Sequence, residues 1–231
     1  MAGIIDRVLA EYRRKDWTVN TRPLELNIIG LRSTMRSGTS FDDEIHVFWV
    51  DATKKWRYLV CPASTDPSDA YLKNPVNGKY TSVLAEGQYR GAYQVGKHLG
   101  HYPALVQSGP VQIVQDYDRN AKFDARNGQK AMVGRGVDIV PLPAFDNRSN
   151  VLGHGSAACQ ILQSPADMAT LLTLANRHVG LYGNQLDYAL LDYRAASARR
   201  KLGLLAVAGG ALAAAAAAFA PNWFVGDTET D

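Results

Sequence analysis

Hydrophobic residues near the start of the chain recur with the period of an α-helix. Between residues 3 and 15 they fall on one face, and charged residues occupy most of the other. This pattern predicts an amphipathic helix within residues 1–20. We expect the helix to dock on the neighbouring domain, with binding to a membrane surface or a partner as the alternative. The apolar face consists of Ile4, Ile5, Val8, Leu9 and Tyr12.

From residue 24 onward the pattern changes to short runs rich in β-branched and aromatic residues, which are typical of strands. Gly, Ser, Asp or Pro bounds each run, and regular spacing of this kind favours an all-β sandwich or barrel. We therefore expect one mainly β domain over residues 21–195. The runs are LELNIIGLRS, EIHVFWVDA, KWRYLVCPA, YTSVLAEGQY, PALVQSG, PVQIVQDY, AMVGRGVDIVPL and QLDYALLDY.

One longer helix is predicted late in this domain, in SPADMATLLTLANRHVG. Ser164 suits the N-cap, and Pro165 suits the first helical position. Asp167 adds a first-turn negative charge. Gly180 is the predicted C-terminal stop.

The segment LGLLAVAGGALAAAAAAFA, residues 202–220, contains no charged residue. At 1.5 Å per residue a helix of this length spans about 28 Å, close to the hydrocarbon thickness of a bilayer. We expect an Ala-rich helix over 196–222 that crosses a membrane or packs against partner subunits. Basic residues at 199–201 precede it, and an acidic tail, 223–231, follows. The positive-inside rule would keep the β-domain cytoplasmic.

The composition excludes several classes of protein. A net charge of +3, from 25 basic and 22 acidic residues, is too small to indicate nucleic-acid binding. The two cysteines, without a CxxC or a Cys/His cluster, predict neither a disulfide framework nor a structural zinc site. No metal or other cofactor is predicted. The N-terminus lacks the uninterrupted apolar run of a secretory signal peptide.

The candidate chemistry centres on Cys159 in VLGHGSAACQIL. The small residues before it predict a turn that exposes a nucleophile, with main-chain N–H groups near 156–159 as oxyanion donors. The alternative is a small apolar residue at the start of a buried strand.

Ser156-Ala157-Ala158-Cys159 resembles the Ser/Thr-His-Gly-Cys motif of the L,D-transpeptidases, the YkuD-like family. Over residues 24–193 the chain resembles more closely a group of largely phage-encoded proteins with a Gly-Ile-Asn-Ile-His…Ser-Ala-Gly-Cys-Gln pattern. The shared stretches include LNIIGLRS, GKHLGHYPALVQ and QDYDRN. The resemblance implies a YkuD-like β-sandwich or barrel, a cysteine thioester mechanism and peptidoglycan stem peptides as substrates.

The chain departs from the family pattern at the positions that matter for catalysis. Val140 stands where the family has its strand histidine, and Ala157 and Ala158 replace the His-Gly of the cysteine motif. Because valine cannot accept a proton, another base must serve Cys159 or the activity is lost. The candidate bases are His154 and His98, with His101 beside the latter.

The remaining predicted site residues surround the cysteine. Ser156 belongs to the catalytic motif, and Gln160 follows the nucleophile. Gln107 and Arg135 are predicted to orient a substrate amide or carboxylate, for which the arginine fork is suited.

Two functions follow as hypotheses. The first is an endolysin-like cysteine peptidase that attacks stem peptides and is held at the host inner membrane by residues 202–220. The second is a catalytically inactive relative, a binding or virion-structural protein anchored by the same helix. A cytoplasmic host-takeover protein is a third class.

Overall fold

Eleven strands and three helices make up the part of the chain that the computed structural model describes, residues 3–33, 40–120, 131–142 and 156–192. The helices are α1 (Ile4–Arg14), α2 (Asp69–Lys73) and α3 (Pro165–Tyr182). The strands are β1 (Asn27–Arg32), β2 (Asp43–Val50), β3 (Trp56–Ser64), β4 (Thr81–Leu84), β5 (Gly87–His98), β6 (Tyr102–Gln107), β7 (Val111–Asp116), β8 (Met132–Gly134), β9 (Ile139–Pro141), β10 (Gln160–Leu162) and β11 (Leu186–Asp192).

Eight strands close into a barrel in the order β1-β11-β5-β6-β9-β10-β3-β2. Most neighbours are antiparallel, but β1 runs parallel to β11 and β9 runs parallel to β10. Strands β4, β7 and β8 form a second, three-stranded sheet. The mainly β fold that the sequence predicts is therefore confirmed.

Strand β1 is buried along its whole length because it has neighbours on both faces. Ile28 belongs to the barrel core, whereas Ile29 and Leu31 face a smaller cluster outside it. Val8 and Tyr12 of α1 belong to the same outer cluster, as do residues of β2 and β11. The predicted docking of the N-terminal helix on the β-domain is confirmed, because the apolar face of the helix packs on β1.

Helix α3 begins as its sequence predicts. Ser164 is the N-cap, with its Oγ accepting a hydrogen bond from the Asp167 N–H at 3.3 Å, and Pro165 is the first helical residue. The predicted stop at Gly180 is wrong, since the helix continues to Tyr182. Gly183, at φ +88°, ends it instead and donates its N–H to the Val179 carbonyl. The helix packs against β5, β6, β9 and β10.

Two sequence runs that read as single strands are divided between the sheets. YTSVLAEGQY supplies β4 to the second sheet and the beginning of β5 to the barrel, and AMVGRGVDIVPL supplies β8 and then β9. The chain crosses between the sheets at 65–80, at 85–86, at 108–110 and at 135–138. The last two crossings lie beside the candidate site.

The C-terminal predictions fall outside the described residues. This applies to the Ala-rich segment 202–220 and to the acidic tail after it. Among the helices that the structure does describe, none has both the length and the hydrophobicity needed to cross a bilayer.

Candidate functional site

Cys159 occupies the last position of a short turn that leads into β10. The Ser156 hydroxyl donates a hydrogen bond to the Cys159 carbonyl at 2.6 Å, and the Ser68 N–H donates to the Ser156 carbonyl at 2.9 Å. Gln160 then enters the barrel opposite Ile139 of β9. Ser156, predicted as part of the catalytic motif, therefore closes the turn that positions the cysteine.

The environment of the Cys159 sulfur favours a neutral thiol. Its Sγ–H donates to the Gly136 carbonyl at 3.5 Å, and the side chain packs against the barrel core. The pKa of the Cys159 thiol is raised to about 11, first by burial, against a main-chain hydrogen bond from Asp138 that lowers it and together with the Asp138 charge, which raises it. A thiol of this kind stays protonated at neutral pH, whereas a nucleophilic cysteine needs the thiolate.

The structure brings no described histidine into a hydrogen bond with that sulfur. His98, at the end of β5, has its Nδ1 at 2.7 Å from Asp138 Oδ2. His101 is exposed in the following turn. The other predicted base, His154, lies outside the described residues. Val140, which aligns with a histidine of the family that the sequence resembles, is buried in β9 opposite Ile161.

Asp138 is the residue that joins the parts of this region, and sequence reasoning missed it. Its Oδ2 pairs with His98, its Oδ1 accepts the Gln107 N–H at 2.8 Å, and its carbonyl accepts the Gln160 N–H at 2.8 Å. It thereby ties the ends of β5 and β6 to the start of β10. Its only sequence signal is an acidic residue within an otherwise apolar run, VDIVPL.

The side-chain amide of Gln107 is bonded within the protein. Its Nε2 donates to the Gly109 carbonyl at 2.8 Å and to the Gly134 carbonyl at 2.9 Å. Its Oε1 accepts the Val137 N–H at 3.0 Å. Gln107 was predicted to contact substrate, but these three bonds occupy both ends of its amide.

An open groove lies between the two crossings that Gln107 connects. One wall is formed by 107–110 and the other by 133–136. Arg135 is exposed there and supplies a positive charge, and Gly136, at φ +75°, turns its carbonyl toward the Cys159 thiol. The predicted substrate residue Arg135 therefore lines a groove that reaches the neighbourhood of Cys159.

Gln160, also predicted to contact substrate, is fully buried inside the barrel. Its Oε1 accepts a hydrogen bond from the Tyr188 hydroxyl at 3.2 Å, and its Nε2 donates to the Ala158 carbonyl at 3.3 Å. The position gives Gln160 a structural role in holding the Cys159 turn against β11.

The arrangement can bind an anionic or hydrogen-bonding ligand in the groove, and its thiol has no described base to activate it. Within the described ranges, no three His, Cys, Asp or Glu side chains are grouped so that they could hold a metal ion. In comparisons with known proteins, no protein-family model, curated protein or solved structure matches this chain.

Proposed function

We propose that this chain is a divergent YkuD-like domain that binds murein stem peptides without cleaving them. The observation that carries the proposal is the open groove with Arg135 on its wall, placed beside a cysteine that lacks a described histidine partner. In this proposal Cys159 is a packing residue at the position of a former nucleophile.

The state of the thiol supports binding over catalysis. With a pKa of about 11, roughly one Cys159 side chain in ten thousand is ionised at pH 7. His98, a histidine that the sequence offers as a candidate base, is paired with Asp138 and not with the Cys159 sulfur. Attack on an amide by Cys159 would therefore lack both the thiolate and the group that removes its proton.

The groove supports a peptide carboxylate as the ligand. The planar guanidinium of Arg135 can donate two parallel hydrogen bonds to a carboxylate, which free stem peptides carry at their C-terminal end. Gly136 leaves open space on its wall, since a Cβ added there would meet no atom within 4 Å, and a peptide backbone can approach it.

The location that we propose for the protein follows from its resemblance to phage-encoded proteins. Residues 202–220 would anchor the chain in the host inner membrane or pack it against partner subunits in a virion. Either anchor would present the domain as a binding module for cell-wall peptides. Nucleic acid is not part of the proposal, given the nearly balanced charge.

Co-sedimentation of the full-length chain with purified sacculi, in mild detergent, tests the binding. We expect saturable sedimentation that a soluble muramyl tetrapeptide competes away. Arg135→Gln should reduce the affinity about tenfold or more, because the charge that pairs with the carboxylate is lost. Arg177→Gln, which removes an exposed arginine on α3, is the matched control and should bind like the parent chain. No sedimentation of the parent chain would overturn the proposal.

A cysteine peptidase is the second candidate, favoured by one observation: the Cys159 sulfur contacts Gly136, which lines the groove. The same sacculus incubations distinguish the two functions. Release of soluble peptides by the parent chain, lost in Cys159→Ala, would establish the enzyme. We expect no release from either protein and equal binding by both.

A further inference from the structure

We propose that Gln107 is a positioning residue that sets the separation of the groove walls and thereby the reach of Arg135. The inference rests on the proposed function, since it concerns how that same groove holds a peptide carboxylate. It assigns to Gln107 an action through Arg135 and not a contact with the ligand.

The position of Gln107 in the topology gives it this role. It is the last residue of β6 in the barrel, and the chain then passes through 108–110 to β7 in the second sheet. The other wall consists of the end of β8 and the beginning of the return crossing to β9 in the barrel. Each wall thus contains part of a connection between the sheets, and the barrel strands at which these connections begin or end, β6 and β9, pair through Leu105 and Ile139.

The Gln107 amide bonds to both crossings. It holds Gly109 on one wall, and it holds Gly134 and Val137, which flank Arg135 and Gly136 of the other wall. The two residues between these bonds, Arg135 and Gly136, have few conformations left because the segment is fixed at both ends. The Arg135 main chain is therefore nearly fixed before a ligand binds, and binding loses less conformational entropy.

Asp138 fixes Gln107 in turn. The Asp138 carboxylate accepts the Gln107 main-chain N–H at 2.8 Å through one oxygen and contacts His98 through the other. Gln107 is thus held by its backbone as well as by its side chain. This double attachment keeps the Gln107 amide bonded to both crossings.

A double-mutant cycle with Gln107→Met and Arg135→Gln tests the inference. Methionine keeps the length of the side chain without charge and removes the three amide hydrogen bonds. We expect Gln107→Met to weaken binding of a muramyl tetrapeptide about tenfold while binding of its C-terminal amide changes little. In the Arg135→Gln background the same change should have almost no further effect, because Gln107 acts through Arg135. Additive losses, or equal losses for both peptides, would overturn the inference.

Hydrogen exchange measured without ligand separates this inference from the proposed function. Gln107→Met should speed exchange in the segment 134–137 about tenfold or more, since the Val137 N–H loses its acceptor. Gln94→Met, a strand glutamine outside the groove, is the matched control and should leave that segment unchanged. Unchanged exchange in Gln107→Met overturns the positioning role. Absence of peptide binding by the parent chain overturns the proposed function instead.

Discussion

Arg32 and Asp192 face each other in register on the parallel strands β1 and β11, with Arg32 Nη1 3.1 Å from Asp192 Oδ2 inside the barrel. The same guanidinium places its Nε 3.1 Å from Asp66 Oδ1 and donates to the Thr65 carbonyl at 2.6 Å. Arg32 is almost completely buried, so these partners replace its hydration. One cation thus joins β1, β11 and the segment that follows β3.

Replacing Arg32 by methionine should destabilise the fold strongly. The substitution keeps an unbranched apolar stem but leaves the buried carboxylates of Asp66 and Asp192 without this cation. Removal of one partner from a buried ion pair costs about 3–5 kcal/mol. Urea denaturation followed by tryptophan fluorescence should therefore show a large decrease in the transition midpoint.

Arg22→Met is the matched control for this prediction. Arg22 forms an ion pair with Glu25 at the surface, where solvent screens the charges, and its loss should shift the midpoint far less. Equal shifts for the two variants would show that the buried pairs contribute no more than a surface pair.

Asp43 should make the protein more stable as the pH falls from about 6 toward 4. Burial first, and the nearby Asp66 charge second, raise the pKa of Asp43 from 3.8 to about 6. The folded state therefore binds the proton more tightly than the unfolded chain does. This stabilising contribution is complete below pH 3.8 and is lost as the pH rises through 6; it amounts to about 3 kcal/mol at most.

The difference between the parent chain and Asp43→Asn isolates that contribution from other titrating groups. The carboxylate accepts hydrogen bonds from the Ser33 N–H and from the N–H and hydroxyl of Thr65, each at 2.7 Å. Asparagine has one acceptor oxygen, so the variant should be less stable throughout. Its free energy of unfolding should lack the parent's rise between pH 6 and 4. A parallel pH dependence in both proteins would contradict the assignment.

Two glycines near the end of α3 should respond to alanine with opposite signs. Gly183 has φ +88° and ψ 166°, a conformation almost restricted to glycine, so Gly183→Ala should cost about 1–3 kcal/mol. Gly180 lies within the helix, and a Cβ added there meets no atom within 4 Å. Gly180→Ala should therefore stabilise the fold by about 0.5–1 kcal/mol. Thermal unfolding of both variants measures the difference, and equal signs would contradict the helix end at Tyr182.

The same two glycines illustrate what local sequence can predict. The start of α3 is specified by Ser164 and Pro165 within one turn, and the structure confirms it. Its end depends on which of two nearby glycines adopts a positive φ, and composition does not distinguish them. Alternating runs likewise predicted the mainly β fold, but the parallel closure of β1 with β11 joins residues about 160 positions apart and has no local signal.

The candidate site was likewise predicted only in part from the sequence. The sequence singled out Cys159, Arg135 and Gln107, and the structure places these last two on one groove. The sequence could not show that the Gln107 amide bonds to the protein. Its partners are main-chain carbonyls and a main-chain N–H, which every residue type carries and which therefore leave no sequence signal. Asp138 was missed for a related reason: a single buried acid in an apolar run acquires meaning only when its partners are known.

The thiol of Cys159 should behave as an unactivated cysteine. In a Cys61→Ala background, which removes the fully buried second thiol, the alkylation rate with iodoacetamide should rise about tenfold per pH unit and show no plateau below pH 10. The reason is burial, which raises the Cys159 pKa to about 11. The same protein in concentrated urea is the control. There the pH dependence of the alkylation rate should give the ordinary thiol pKa of about 8.5.

Histidine variants complete this measurement. His98 is bonded to Asp138 and not to the sulfur, so His98→Ala should not increase the pH at which Cys159 ionises. His154→Ala extends the comparison to the predicted base outside the described residues. Suppose instead that the alkylation rate of the folded parent chain reaches its plateau below pH 8, and that this plateau shifts to higher pH in either variant. Such behaviour would identify a working thiolate–histidine pair. That result would favour the peptidase over the binding module, because a base would then serve the nucleophile that Val140 cannot.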